Sequence, residues 1–504
     1  MTDDPIGEEL VTSEAGDPGH ERATAEAGEV GGAPDAHGTE APKVVTPPAL
    51  VEFMSGDWAS GDLVVDGPSP AAPYHQRRRE AIAARFPGEW LVVPTGGLKV
   101  RSNDTDYRFR AGTDFAWLTG CQEPDAVLVI DPEGHATLYT APRADRSTPA
   151  FFTDRRYGVL WVGPRLGLED TRTLYAIDTG ALDDLPAVLK EAAAGQVRVR
   201  RGFDARVDEL LAAADDERDV DLASALSDLR LIKDEHEIGC LQRAIDATVI
   251  GFEDVVRALP TAAGHGERWV EGTFNRRART EGNDVGYDTI AACGHHACTL
   301  HWVRNDGPVR AGELLLLDAG VEGPEVYTAD VTRTVPVAGT YSPVQREVYD
   351  AVWRAQQAAL AECRPGQPFM APHRAAMRVL TEWLVGLGIL RSSVDEALDP
   401  EHRFYTRYTL HGTSHMLGLD VHDCAQSRDD YRELDLAPGM VLTVEPGCYL
   451  QPDDLTVPER YRGIGVRIED DVLITDDGCR VLSRALPTQA AEVEAWMAPL
   501  LRGR

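Results

Sequence analysis

The sequence has no C-x-x-C pair. Its eight cysteines are scattered between Cys121 and Cys479, which excludes a zinc ribbon and a thioredoxin-like motif and fits reduced thiols in the cytosol. No apolar run approaches the roughly 18 residues that span a bilayer. The opening Met1-Thr2-Asp3-Asp4-Pro5 lacks the basic and apolar regions of a signal peptide. A cytoplasmic protein with no membrane partner is therefore expected. Positive charge is scarce as well, with 50 Lys and Arg against 83 Asp and Glu, for a net charge of −33. No basic cluster is long enough to offset that excess, and such a surface repels phosphate backbones, so no nucleic-acid partner is expected.

What is present is ordinary globular material: 504 residues, 43% hydrophobic and 26% charged, enough to bury a sizeable core in more than one domain. The first fifty residues differ, holding eleven acidic residues against Arg22 and Lys43 and almost no aromatics. They bury too little apolar surface to offset chain entropy, so residues 1–65 are expected to form a disordered acidic tail. Residues 66–230 alternate helical and strand patterns. Residues 75–86 suggest a surface helix, and Trp90–Val93 and Ala126–Ile130 read as buried strands. This is an α/β pattern, and it carries no catalytic constellation.

The charged stretch Lys233–Glu237 marks the boundary of a larger domain over 231–504. Ile238, Leu241, Ile245, Phe252, Val256 and Leu259 then recur at helical spacing until Pro260, where the helix is expected to stop. Ser342-Pro343-Val344-Gln345 predicts another helix start, with Ser as N-cap and Gln completing a capping box. Strands and turns dominate from about 408 to 483. The whole is expected to be α+β.

The residues that suggest chemistry lie between His301 and Glu469. Asp318 follows four leucines in a strand-like run, and Asp330 is embedded in a second such run twelve residues later. Taken alone, either Asp is more often a turn or ion-pair residue than a ligand. His411, His415 and His422 fall within twelve residues. The His411-x-x-x-His415 spacing is that of a zincin helix, but Gly412 stands where that motif needs a Glu, so that reading fails. Glu445 ends an apolar run. Arg467 and Glu469 stand two apart in another, where alternation puts them on one strand face; the pair could equally be a structural ion pair. Together, Asp318, Asp330, His415, Glu445 and Glu469 give four carboxylates and one imidazole. That set suits hard or borderline divalent cations such as Mn²⁺ and differs from a cysteine-rich structural zinc site. A water held between two such cations becomes a nucleophile near neutral pH.

The order and spacing of these five residues resemble the pita-bread metallopeptidases, and within them the aminopeptidase P (Xaa-Pro aminopeptidase) family. The resemblance runs from about residue 72 to about 490. It rests on Asp106–Arg110 and Asp114–Gly120, on His411–Asp423, and on Pro458–Asp471. The resemblance implies an aminopeptidase P N-terminal domain before a pita-bread catalytic domain. It implies that Asp318, Asp330, His415, Glu445 and Glu469 hold two divalent metal ions, Mn²⁺ first and Co²⁺ or Zn²⁺ as alternatives, with Asp330 and Glu469 bridging. It also makes His301, His411 and His422 substrate-site histidines, and Arg467 the arginine that orients a neighbouring acidic ligand. Glu445 doubles as the proton acceptor. The implied substrates are peptides with proline at the second position, and the implied assembly is a homo-oligomer, dimer or tetramer. The rival readings are a prolidase, which cleaves Xaa-Pro dipeptides, and a binding module that keeps its metals without turnover.

Overall fold

A computed structural model describes residues 46–59, 63, 65–212 and 216–502. Most of the expected acidic tail, residues 1–45, lies outside the described residues. Within the rest of that tail the expectation of disorder is corrected, because Pro48–Ser55 forms a helix. Proline begins it, where a missing N–H costs nothing. Just beyond, Trp58 donates its indole N–H to Met54 O and packs edge-on against Phe151 at 5.4 Å, tethering the helix to the domain that follows.

That domain is built on a mixed five-stranded sheet. Val127–Ile130 is central, antiparallel to Trp90–Pro94 on one side and Ala136–Thr140 on the other. The outer strands, Val197–Val199 and Asp178–Ala181, pair in parallel. Leu91, Val93, Leu128 and Ile130 face one apolar core, whereas Val92, Val127 and Val129 face another. Burial on both faces explains why these strands read as unbroken apolar runs rather than alternating ones.

The helix expected at 75–86 runs over Ala72–Arg85 and is a surface helix, with Gln76, Arg77, Glu80 and Arg85 exposed, but its inner side carries charge as well. Arg78 and Arg79 are buried. They donate to Trp117 O at 3.1 Å and Leu118 O at 2.8 Å, satisfying carbonyls left open at the end of the Thr113–Thr119 helix.

The second domain opens with the Glu235–Ala262 helix, capped by a reciprocal Asp234/Glu237 box. Pro260 lies inside it rather than after it. A proline in the final turn forfeits one N–H bond, and the helix ends two residues later instead of at once. The second expected start is found at Ser342/Gln345, opening Pro343–Glu362, which packs against Ala371–Gly386. Leu314–Ala319 pairs antiparallel with both Val331–Pro336 and Ile290–Cys293. Val441–Val444 pairs with Asp470–Thr475, and Gly447–Leu450 with Ile464–Arg467. Trp117 and Leu118 of the first domain share one apolar cluster with Leu241, Tyr327 and Leu417 of the second, so the two halves are packed together. Among the described residues no helix is long and apolar enough to cross a membrane.

Candidate active site

Strand pairing brings the five distant residues together. In the Leu314–Ala319 strand every residue is buried, Asp318 included, and Asp318 stands opposite Thr332. Asp330 sits one residue before the neighbouring strand. The His411–Met416 segment has no regular structure, yet it runs beside Val441–Val444. His415 O accepts from Thr443 N at 3.0 Å, and Thr413 O from Glu445 N at 2.9 Å. That alignment sets His415 next to Glu445. The last ligand candidate, Glu469, anchors its backbone N–H on Thr332 O at 3.1 Å.

The single-strand placement of Arg467 and Glu469 is corrected. The strand stops at Arg467 and the next begins at Asp470, leaving Glu469 in the junction. Both side chains still meet at Thr332, whose Oγ1 donates to Glu469 at 2.6 Å and accepts from Arg467 Nε at 3.1 Å. Arg467 pairs with Asp318 at 2.5 Å, so Asp318 is the ligand candidate beside it.

The nearest group that could hold one ion is Asp330, His415 and Glu469, with ligand atoms within 4.8 Å of one another. His415 Nε2 lies 3.3 Å from Asp330 Oδ2 and 3.5 Å from Glu445 Oε1. Asp318 reaches the same chamber through Tyr287, whose hydroxyl lies 2.6 Å from carboxylate oxygens of both Asp318 and Asp330. All five candidates are thus linked through shared neighbours.

The electrostatics favour a cation. Burial, with the charges of Asp330, Glu445 and Asp318, pushes Glu469 well above the usual carboxylate range. Burial likewise raises Asp330 to about 6. Burial alone would lower the His415 imidazole, but the Asp330 hydrogen bond and the Glu445 charge overcome it and raise it to about 9. Four carboxylates thus crowd one chamber against Arg467 and the His415 ring. A divalent cation relieves that crowding, and the oxygen-rich donor set with one imidazole fits such an ion.

The three remaining histidine candidates stand around this cluster. His411 is held at both nitrogens: Nδ1 lies 2.9 Å from Gly412 O and Nε2 lies 2.7 Å from the Tyr449 hydroxyl, which accepts from Arg467 at 2.9 Å. His422 is exposed and meets the His415 ring edge-on at 4.4 Å. Burial of part of its ring and the charge on His415 bring it down to about 4, so it is neutral at pH 7. His301 is exposed on the turn after the short Gly294–Cys298 helix, close enough for its charge to act on His422.

Four residues at the site were not singled out in the sequence: Tyr287, Tyr449, Thr332 and Asp471. Asp471 accepts Asp330 N at 3.1 Å from a fully buried position. Its only signal was the acidic run Glu469-Asp470-Asp471 beside apolar residues. The tyrosines and the threonine carried none.

Comparison with known proteins agrees with this geometry. Residues 239–476 match the model of metallopeptidase family M24, and residues 75–199 match the aminopeptidase P N-terminal domain. The chain is 55% identical to Xaa-Pro aminopeptidase 1 of Streptomyces coelicolor over 90% of this chain and 92% of that one. It is 35% identical to Xaa-Pro aminopeptidase of Escherichia coli over 84% of this chain and 97% of that one. Among solved structures, E. coli aminopeptidase P with the inhibitor Pro-Leu superposes with a TM-score of 0.76 at 31% identity, covering 86% of this chain and 99% of that one. A zinc-substituted form of the E. coli enzyme with product also superposes at 0.76, at 33% identity, covering 85% of this chain and 98% of that one. With both domain matches in chain order and this identity over most of its length, the chain belongs to metallopeptidase family M24, in its aminopeptidase P group.

Proposed function

We propose that this protein is a dinuclear-metal Xaa-Pro aminopeptidase, releasing the N-terminal residue that precedes proline. The observation that carries this reading is the convergence of Asp318, Asp330, His415, Glu445 and Glu469 on one buried chamber. The curated relatives above are named Xaa-Pro aminopeptidases, which disfavours the prolidase reading. Asp330 and Glu469 would help to hold both cations, His415 and Glu445 would complete the set for one and Asp318 for the other, with Mn²⁺ first and Co²⁺ or Zn²⁺ as alternatives. When bound, two such cations lower the pKa of a water and polarise a carbonyl oxygen.

The rest of the chemistry is assigned to the chain's own side chains. Glu445 is ionised at neutral pH, held down to about 2 against burial by His411, His415 and Arg467. We assign it the proton of the attacking water and the transfer of that proton to the leaving proline nitrogen, a role for which it is in the required ionised form. His422, neutral and facing the site, can donate a ring N–H to the developing oxyanion. His411, fixed at both nitrogens, and His301 shape the proline pocket. Arg467 holds Asp318 in place through their 2.5 Å pair. A free substrate amine is favoured beside this acidic cluster, which suits removal of a terminal residue. The amide before proline has no N–H, so no donor is required of it.

We place the protein in the cytoplasm, consistent with eight unpaired cysteines, seven of them buried. A homo-oligomer is proposed from the family resemblance, and exposed Leu160, Trp161 and Val162 offer apolar surface for it. The test is to strip the purified protein with chelator, restore Mn²⁺, Co²⁺ or Zn²⁺ separately, and assay an Xaa-Pro dipeptide against an Xaa-Pro tripeptide. Metal-restored release of the first residue from the tripeptide is expected, with the dipeptide a poor substrate. Cleavage of the dipeptide alone would make the protein a prolidase, and metal uptake without any hydrolysis would make it a binding module.

A further inference from the structure

His422 stands on the Leu417–Cys424 segment, which has no helix or strand. A donor aimed at a developing oxyanion must be held to a fraction of an ångström, and a bare loop does not hold itself. Much of the restraint comes from the other domain. Arg110 donates through Nη2 to Leu419 O at 2.7 Å and to Asp420 Oδ1 at 3.1 Å. Thr113 Oγ1 donates to the same Asp420 oxygen at 2.7 Å. Arg110 also donates through Nε to Glu322 Oε2 at 2.5 Å. Glu322 is buried and lies in the connection between Asp318 and Asp330. One guanidinium from the first domain therefore ties the His422 loop to the hairpin that joins two ligand candidates, using the forked donor geometry that lysine cannot reproduce. On its far side the loop is held by Asp423, which accepts from Lys233 at 3.1 Å and Arg230 at 3.2 Å.

We propose that Arg110, with Thr113 and Asp420, is a positioning residue for His422, so that the first domain is a working part of the active site. This rests on the assignment of His422 to the oxyanion. It makes no contact with substrate or metal part of the claim.

The test is a double-mutant cycle on the full-length, metal-loaded protein with an Xaa-Pro tripeptide. Arg110→Ala is expected to lower kcat by about tenfold or more, while KM changes by less than about threefold and bound metal is unchanged. Thr113→Val removes one donor with little change of shape and is expected to act in the same direction, which keeps the test informative if Arg110→Ala fails to fold. In a His422→Ala background both losses are expected to shrink to less than about twofold, because there is no longer a ring to position. Unchanged kcat in Arg110→Ala or Thr113→Val, or the same loss with and without His422, would overturn the proposal. Full activity of His422→Ala would instead overturn the reading of the site on which the proposal rests.

Discussion

A buried imidazole is oriented by its second nitrogen. His415 Nδ1 lies 3.1 Å from Met416 O. A carbonyl can only accept, so Nδ1 carries a proton and Nε2 is the nitrogen directed toward Asp330 and Glu445; with the ring raised to about 9, Nε2 is protonated as well and donates to Asp330, a proton that a cation held there would displace. The ligand candidates were legible in two steps: Asp318, Asp330, Glu445 and Glu469 place charge in apolar runs where burial forbids it without compensation, and their order and spacing with His415 resemble the family's pattern. Tyr287, Tyr449 and Thr332 were not legible, because tyrosine and threonine are ordinary strand residues and only the fold shows their hydroxyls turned toward carboxylates. The same logic of burial applies away from the site. His75 is buried with Nδ1 2.8 Å from Trp117 O, and burial followed by the charge of Arg78 brings it down to about 3. Between about pH 6.5 and 3 the unfolded chain takes up a proton that the folded chain refuses. Its contribution is therefore complete above pH 6.5 and is lost as pH falls, by at most about 1.4 kcal/mol per pH unit. Denaturant unfolding from pH 7 to 4.5 is expected to show a shallower acid loss in His75→Gln than in the wild type, whereas parallel curves would contradict this.

At the scale of elements, the Ser342/Gln345 capping box and the central strands were readable because each is set by neighbours in sequence, whereas the Asp234/Glu237 box was read only as a charged boundary. The Glu469 junction was not, because a strand break that keeps two side chains on one threonine is decided by hydrogen bonds to Thr332 and Thr334, more than 130 residues away in sequence. Nor was the burial of Arg78 and Arg79, which depends on where the Thr113–Thr119 helix ends in space. One crossing controls the relative position of Asp318 and Asp330. Gly320 passes Ala329 so closely that a Cβ would lie 1.7 Å from Ala329 O. Backbone cannot yield as a flexible side chain can, so Gly320→Ala must push the two ligand-bearing strands apart. The expected cost is more than about 2 kcal/mol of stability, together with weakened metal uptake. An unchanged Tm and unchanged metal affinity in this variant would show that the crossing tolerates the methyl group.

For the molecule as a whole, the α/β-then-α+β order was legible from the alternating helical and strand patterns over 66–230 and the strands and turns that dominate after about 408. The partnership of the domains was not. Trp117 and Leu118 share a core with Leu241 and Leu417, and Arg110 reaches across to the His422 loop, but neither contact has a signature in local sequence. What the fold accomplishes is to gather carboxylates from one strand, two strand ends and a strand junction into a chamber whose charge needs a counter-ion. That need is most directly tested by elemental analysis of the dialysed, Mn²⁺-loaded protein beside its Asp330→Ala variant. Two ions per chain are expected in the wild type, as a two-metal hydrolase requires, and one or none in the variant. A wild type that holds fewer than two, or a variant that keeps both, would contradict the assignment of these five side chains.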